Sequence, residues 1–182
     1  MCQHNINYIY AISSTNVLYY LYIHVMKFIS HRGNLRGRNR TSENSINTIE
    51  SVISNGYDVE IDLWYHSHDF YLGHDSGMNM VSECFLNEYS DKLLIHCKND
   101  AALFRLNRSN TKFEVFTHAD DVFTLSSKNR ILIHPHTETN YRSGILMMPE
   151  MSNYDLEEIL RFEGIVSDNI KFYEDYYNTL WE

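Results

Sequence analysis

The chain has 182 residues, of which 43% are hydrophobic and 21% charged, as in soluble proteins with one domain and a substantial core. Its formal net charge of −9 argues against a general nucleic-acid binder, because such proteins need clustered lysine and arginine. The three cysteines (Cys2, Cys84 and Cys97) lack close spacing, which favours a reducing compartment over a disulfide framework.

The first 25 residues differ from the rest of the chain. They are rich in Asn, Ile and Tyr and show no clear periodicity. We interpret them as a poorly ordered N-terminal extension; the alternative is an added helix that covers the bottom of the domain. The apolar run over residues 17–29 is too short, and too interrupted by His24 and Lys27, to span a bilayer. We therefore expect a cytoplasmic protein without stable membrane insertion, with one domain over residues 26–182.

From Met26 onward, short strands alternate with connectors. The pattern predicts eight main strands, at residues 27–31, 57–64, 93–97, 113–116, 122–125, 131–134, 145–148 and 164–166. Four helices are predicted, at 42–56 (with Ser42 as N-cap), 100–106, 155–161 and 169–180. The alternation predicts a compact (β/α)8 TIM barrel. Several of its helices must be shortened or missing, because eight full units usually need at least ~200 residues.

The first predicted strand ends at His31, which is followed by Arg32 and Gly33. A second histidine, His74, comes after the short segment 70–73 and precedes Asp75. Either histidine alone is more often structural, but in these settings His31 and His74 are candidates for a general acid and base. Arg32 presents a fork of donors suited to a phosphoryl oxygen. It also belongs to a basic run with Arg36, Arg38 and Arg40, for which a solvated loop is the alternative.

The second predicted strand alternates strictly between apolar and acidic residues. Val59, Ile61 and Leu63 share one side, and Asp58, Glu60 and Asp62 share the other. Inward side chains at the C-terminal end of a barrel strand reach the active site, so Glu60 and Asp62 are predicted to face one cavity. Their mutual repulsion would be relieved by Mg²⁺ or Ca²⁺. The alternative is an edge strand with a wet acidic face.

The strand at 93–97 repeats this arrangement. His96 and Lys98 are predicted to point inward, and Ile95 and Cys97 toward the helices. Lys98 could hold phosphate charge, and His96 could ligate the metal or bind substrate. A zinc site drawn from His66, His68, His74, His96 and Cys97 is a weaker interpretation, because these residues lack the paired spacing of structural zinc sites.

These motifs resemble the glycerophosphodiester phosphodiesterase family. The resemblance rests on His31-Arg32-Gly33, Glu43-Asn44, the segment Gly56-Tyr57-Asp58-Val59-Glu60-Ile61-Asp62 and Gly73-His74-Asp75, in this order and spacing. Later stretches, such as 94–99, 117–127, 148–150 and 164–168, are similar to a compact branch of the same superfamily. The resemblance implies a metal-dependent TIM barrel that hydrolyses a small phosphodiester, most simply a glycerophosphodiester to an alcohol and glycerol phosphate.

The resemblance also implies roles for single residues. His31 and His74 would be the acid/base pair, Glu60 and Asp62 metal ligands, Arg32 and Lys98 phosphate contacts, and Glu43 a substrate-binding or supporting carboxylate. At the position of His96 the family usually has an acidic third ligand. Imidazole is a poorer ligand than carboxylate for Mg²⁺ or Ca²⁺ and a better one for Mn²⁺, Fe²⁺ or Zn²⁺, so the third ligand and the metal stay open. Reserve ligands are His118, Asp120 and Glu150.

Two other functions stay open. One is a phosphodiesterase or lyase for a different phosphodiester. The other is a catalytically silent barrel that keeps a phosphate-binding pocket, which the histidine at position 96 favours. Retention of His31, His74, Glu60, Asp62 and Lys98 weighs against the silent barrel.

Overall fold

A computed structural model describes residues 26–108 and 112–180, so the predicted extension over residues 1–25 lies outside the described residues. The strands are β1 (Lys27–His31), β2 (Asp58–His66), β3 (Asp69–Leu72), β4 (Asn79–Val81), β5 (Leu93–Cys97), β6 (Glu114–Phe116), β7 (Phe123–Leu125), β8 (Ile131–Ile133), β9 (Ile145–Met147) and β10 (Gly164–Ser167). The helices are α1 (Ile46–Ser54), α2 (Glu83–Glu88), α3 (Asp100–Arg108), α4 (Leu156–Ile159) and α5 (Ile170–Thr179), with a 3₁₀ turn at Pro149–Met151.

Seven of these strands form a parallel sheet in the order β6-β5-β2-β1-β10-β9-β8. Strands β3 and β4 extend the far end of β2 as an antiparallel meander, and β7 pairs antiparallel with β8. The register sets Glu60 beside His31 and Leu94, and Asp62 beside His96. Polar side chains from neighbouring strands therefore meet at one end of the sheet.

The sheet is curled around an apolar interior. Seven buried side chains from six strands form one inner cluster: Ile29, Leu94, Phe116, Leu132, Ile145, Met147 and Val166. The other faces of the strands carry residues such as Ile61, Ile95 and Ile165, which pack with helix residues such as Ile49 and Leu106 in a second cluster. Because β5 and β6 contact β8, β9 and β10 through the inner cluster, the α/β sheet has the shape of a curled half-barrel.

The two ends of the sheet meet at a seam between β6 and β7. Among the described residues no ladder joins these strands, but Ser127 N donates to Val115 O over 2.8 Å, and Val115 N donates to Ser127 Oγ over 3.0 Å. The Arg130 guanidinium pairs with the buried Glu114 carboxylate beneath them. The predicted fifth barrel strand, β7, thus runs antiparallel, and the sheet is curled without the predicted ring of eight parallel ladders.

Several predicted boundaries need correction. Helix α1 is capped by Ser45, whose side chain accepts from Thr48 N, and not by Ser42. Residues 39–44 instead form turns that bring Glu43 and Asn44 to the sheet. The six-residue helix α2 and the short strand β4 were not predicted, because segments this short show no periodicity. None of the helices in the described ranges is long and apolar enough to cross a membrane.

Glu114→Ala should lower the free energy of unfolding by about 2–3 kcal/mol, because it leaves Arg130 partly buried without its counter-charge. Asp175→Ala, which removes one of the exposed partners of Lys171, should cost less than about 1 kcal/mol. Urea unfolding of both variants measures the difference. Equal losses would mean that the seam does not depend on this ion pair.

Candidate active site

Two carboxylates and an imidazole meet where β2 and β5 end. Glu60 and Asp62 alternate along β2 with Ile61, and His96 lies beside Asp62 in the ladder. All three side chains are buried, and one possible ligand atom from each lies within 4.8 Å of the others. The predicted metal ligands are thus brought together.

Asp62 is the most heavily contacted group of the site. Its Oδ1 lies 3.0 Å from His96 Nδ1 and 3.5 Å from Lys98 Nζ. Its Oδ2 accepts from Asn44 Nδ2 over 3.0 Å and lies 2.8 Å from Arg32 Nε, in an ion pair without an aligned hydrogen bond. Burial alone would raise the pKa of Asp62, but the His96 contact and the charges of Arg32 and Lys98 hold that pKa well below its ordinary value. Asp62 is therefore ionised.

Glu60 has a different environment. Its Oε2 is buried and lacks a hydrogen-bond partner, with His31 Nε2 3.8 Å away, while its Oε1 lies 4.0 Å from His96 Nδ1. Burial, and then the neighbouring Asp62 charge, raise the pKa of Glu60 well above its ordinary value of 4.5. A divalent cation would satisfy the unpartnered oxygen and favour the ionised carboxylate. The donor set of two carboxylates and one imidazole therefore fits a metal such as Mg²⁺ or Mn²⁺.

His31 ends β1 beside this group. Its Nδ1 contacts Asp168 Oδ1 over 2.7 Å, and Asn34 Nδ2 donates to the same oxygen over 2.8 Å. Burial alone would lower the pKa of His31, but the hydrogen bond to Asp168 and the charge of Glu60 raise it above 6.5. The imidazole can thus exchange a proton near neutral pH.

The loop after β1 places Arg32 through Glu43 and Asn44. Arg32 Nη1 lies 3.6 Å from Glu43 Oε1, and the Glu43 carboxylate also accepts two hydrogen bonds from Arg38, each of 3.1 Å. Burial alone would raise the pKa of Glu43, but Arg38 and Arg32 hold it below its ordinary value. The Glu43 carboxylate is therefore paired with two guanidinium groups, of which Arg32 also contacts Asp62.

His74 lies farther out than His31. It is in the turn between β3 and β4, with a side chain 39% exposed, and its Nδ1 contacts Asp75 Oδ1 over 2.6 Å. Gly73 attaches this turn to the site, since its N donates to Asp62 O over 3.1 Å. At φ 148 a Cβ on Gly73 would lie 2.1 Å from Ser76 O, so this position requires glycine. Among the described residues, no contact joins His74 to the Glu60–Asp62–His96 group.

A row of rings continues outward from His96. The His96 ring stacks on Phe116 and on His118, with centroid distances of 4.7 and 4.8 Å, and His118 lies 4.1 Å from the His134 ring. His134 Nε2 contacts Thr124 Oγ1 over 2.7 Å, and burial, with His118 and His96 nearby, lowers the pKa of His134 to about 4. The reserve ligand His118 therefore contacts His96, a member of the Glu60–Asp62–His96 group, by ring stacking.

The other reserve ligands, and the zinc interpretation, have different surroundings. Asp120 is exposed in the loop after β6, and Glu150 Oε1 accepts from Asp168 N over 3.0 Å. Cys97 packs in the outer core, on the opposite face of β5 from His96. In the described part of the chain, the only His/Cys/Asp/Glu group of ligand spacing is Glu60, Asp62 and His96, so a zinc site through Cys97 is wrong.

Two residues of the site were not predicted to act there. Asn44 both donates to Asp62 Oδ2 and accepts from Asp62 N through its Oδ1, each over 3.0 Å. Asp168 comes from the end of β10, at the other end of the chain from His31. The sequence contained only an indirect signal for both residues. Asn44 belongs to the Glu43-Asn44 motif, and Asp168 ends the stretch 164–168, and both segments are part of the family resemblance.

No protein-family model and no curated protein sequence matches this chain. Among solved structures, it is similar to a glycerophosphoryl diester phosphodiesterase from Parabacteroides distasonis, at 14% sequence identity and a TM-score of 0.48. The similarity covers 85% of this chain and 87% of that one.

Without metal, the raised pKa of Glu60 should make the folded protein less stable as the pH rises above about 4.5, since the folded state holds this proton more tightly than the unfolded chain. Glu60→Gln should remove this part of the pH dependence and raise the melting temperature of the metal-free protein at pH 8. It should also weaken the stabilisation that Mg²⁺ or Mn²⁺ gives the unmutated protein.

Thermal melts from pH 4.5 to 8, with and without added Mg²⁺ or Mn²⁺, measure both effects. Glu157→Gln, on the short helix α4, is the control for a carboxylate outside the site. The metal assignment fails if Glu60→Gln responds to metal as the unmutated protein does.

Proposed function

We propose that this protein is a metal-dependent phosphodiesterase that hydrolyses a small phosphodiester, most simply a glycerophosphodiester, to an alcohol and a phosphomonoester such as glycerol phosphate. The observation that carries the proposal is the buried Glu60–Asp62–His96 group, with the cations Arg32 and Lys98 on one carboxylate and His31 beside the other. Acidic ligands, basic phosphate contacts and a proton-transfer group within one site are what this reaction needs. The order of the sequence motifs independently supports the same family.

The cations of the site would bind the phosphoryl group. Arg32 and Lys98 both form ion pairs with Asp62, and both side chains are almost buried. A bound phosphodiester would therefore interact with these two cations in a region of low dielectric, where charge interactions are strong. A metal ion held by Glu60, Asp62 and His96 would supply a Lewis acid that offsets phosphoryl charge. Mg²⁺, Ca²⁺ and Mn²⁺ are the candidates, and the imidazole of His96 favours Mn²⁺ among them.

Two histidines would move the protons. His31, buried near the carboxylates, would take the proton of the nucleophile, either water or a neighbouring hydroxyl of the substrate. Attack by water gives the phosphomonoester directly, whereas attack by the hydroxyl expels the alcohol and forms a cyclic phosphodiester, which water then opens to the monoester. His74 would donate a proton to the departing alcohol. It lies in the β3–β4 turn, which is joined to β2 by the hydrogen bond from Gly73 N to Asp62 O. The same proposal interprets the curled sheet as a (β/α)8 barrel that has lost several helices. In this barrel the antiparallel strand β7 takes the place of one of the eight parallel strands.

A second candidate function rests on the surroundings of Asp62. Arg32, Asn44, His96 and Lys98 already contact both of its oxygens, which would suit a barrel that binds a phosphodiester without metal and without turnover. Calorimetric titration with glycerophosphocholine after chelation separates the two functions. Tight metal-independent binding without hydrolysis would favour the silent barrel, and metal-dependent turnover the enzyme.

The main test is hydrolysis of bis(p-nitrophenyl) phosphate and glycerophosphocholine by metal-stripped protein, before and after addition of Mg²⁺, Ca²⁺ or Mn²⁺. We expect metal-dependent turnover that His31→Ala lowers at least ~100-fold, because a general base contributes that much. His68→Ala, an exposed histidine in the β2–β3 turn, should retain full activity. Near-normal turnover by folded His31→Ala would remove His31 from the mechanism.

His74→Ala should distinguish the two substrates. Loss of a general acid should lower turnover of glycerophosphocholine at least ~100-fold, because an alkoxide is a poor leaving group. The effect on bis(p-nitrophenyl) phosphate should be much smaller, because p-nitrophenolate departs without a proton. Equal losses with both substrates would contradict the acid role and would assign His74 to binding instead.

A further inference from the structure

We infer that Asp168 is a positioning residue that holds His31 in the tautomer with hydrogen on Nδ1, so that the free lone pair on Nε2 faces the Glu60 side of the site. The inference rests on the proposed function for its catalytic meaning, while the tautomer itself can be measured without activity. Nothing in the sequence motifs assigned a role to Asp168.

The contact itself determines which nitrogen carries the hydrogen. An ionised carboxylate can only accept hydrogen bonds, and Asp168 Oδ1 lies 2.7 Å from His31 Nδ1. The opposite tautomer would bring the Nδ1 lone pair against a carboxylate oxygen at this distance. The hydrogen bonds that Asp168 receives from His31 and Asn34 outweigh its burial and hold its pKa below the ordinary value, so it is an acceptor at neutral pH.

The other nitrogen of the ring points to where the chemistry is proposed. His31 Nε2 lies 3.8 Å from Glu60 Oε2, the buried oxygen without a hydrogen-bond partner. In the Nδ1–H tautomer this nitrogen is an acceptor and can receive the proton of a nucleophile. In the Nε2–H tautomer it could not, so a general base at this position needs Asp168.

Asp168 is itself held from several directions. Asn34 Nδ2 donates to its Oδ1 over 2.8 Å, its backbone N donates to Glu150 Oε1 over 3.0 Å, and its backbone O accepts from Gly37 N over 2.8 Å. These bonds join β10 to the loop after β1. A carboxylate fixed in this way can fix the ring it contacts, but the same bonds would serve a purely structural tie, which the experiment must distinguish.

The test is the ¹⁵N shift pattern of the His31 ring in the full-length metal-free protein, assigned by loss of its signals in His31→Gln. At a pH where the ring is neutral, the unmutated protein should show the protonated nitrogen at Nδ1. Asp168→Ala should convert this to the mixed or Nε2–H pattern of an unconstrained imidazole. Asp168→Asn, the isosteric variant, should shift the tautomer the same way, because its amide can donate to Nδ1.

Glu150→Ala is the matched control. It removes the hydrogen bonds that Glu150 Oε1 accepts from Asp168 N and Ser167 Oγ, and it leaves the contact between the Asp168 and His31 side chains. It should lower stability while keeping the Nδ1–H tautomer. In turnover of glycerophosphocholine, both Asp168 variants should lower kcat roughly 100-fold or more with little change in KM. Glu150→Ala should retain most of kcat.

The outcomes separate this inference from the proposed function. An Nε2–H ring in the unmutated protein, or an Nδ1–H ring that persists in both Asp168 variants, would overturn the inference even if the protein is an active phosphodiesterase. The expected tautomers without turnover on any diester would support Asp168 as the positioning residue and overturn the proposed function alone. If Asp168→Ala does not fold, Asp168→Asn decides.

Discussion

The burial of two carboxylates at the end of one strand is the constraint on which the rest of the site depends. Glu60 and Asp62 have 1% and 0% of their surface exposed, and a carboxylate in such a place is costly unless it is paired. Asp62 is paired by cationic and amide groups, whereas Glu60 keeps one oxygen without a hydrogen-bond partner. The two buried carboxylates therefore differ in their partners before any ligand binds. The unpartnered oxygen of Glu60 is the atom that a cation would satisfy.

Two residues that contact Asp62 have left-handed backbone conformations. Arg32 and Asn44 have φ of 55° and 54°, a region that is uncommon for arginine and more often adopted by asparagine. Both are held by backbone hydrogen bonds, from Arg32 N to Glu60 O over 2.8 Å and from Asn44 N to Arg32 O over 2.9 Å. These bonds join the loop after β1 to β2, where the Arg32 and Asn44 side chains contact Asp62.

The sequence predicts the local part of this arrangement well and the non-local part poorly. Strict alternation along β2 was enough to predict that Glu60 and Asp62 share a face, and the structure confirms that His96 shares it and that Ile95 and Cys97 do not. Asp168 lies 137 positions from His31, and no local pattern reports such a pairing. The direction of β7 was wrong for a related reason, because a three-residue strand with the pattern Phe-Thr-Leu is equally compatible with parallel and antiparallel pairing.

The carboxylates and histidines of the candidate site lie on the part of the sheet against which helices pack. Asp168, His31, Glu60, Asp62 and His96 lie at the ends of β10, β1, β2 and β5, which are adjacent strands, and helices α1, α3 and α5 pack on this part of the sheet. Between β7 and β9 the connections contain no helix in the described residues, and Phe123, Leu125 and Tyr141 are exposed there. A chain of this length can therefore lose helices around β7 and β8 without disturbing the register that brings His31, Asp62 and His96 together. In that part of the sheet, the inner apolar cluster, the Ser127–Val115 hydrogen bonds and the Glu114–Arg130 ion pair join the two ends of the curled sheet.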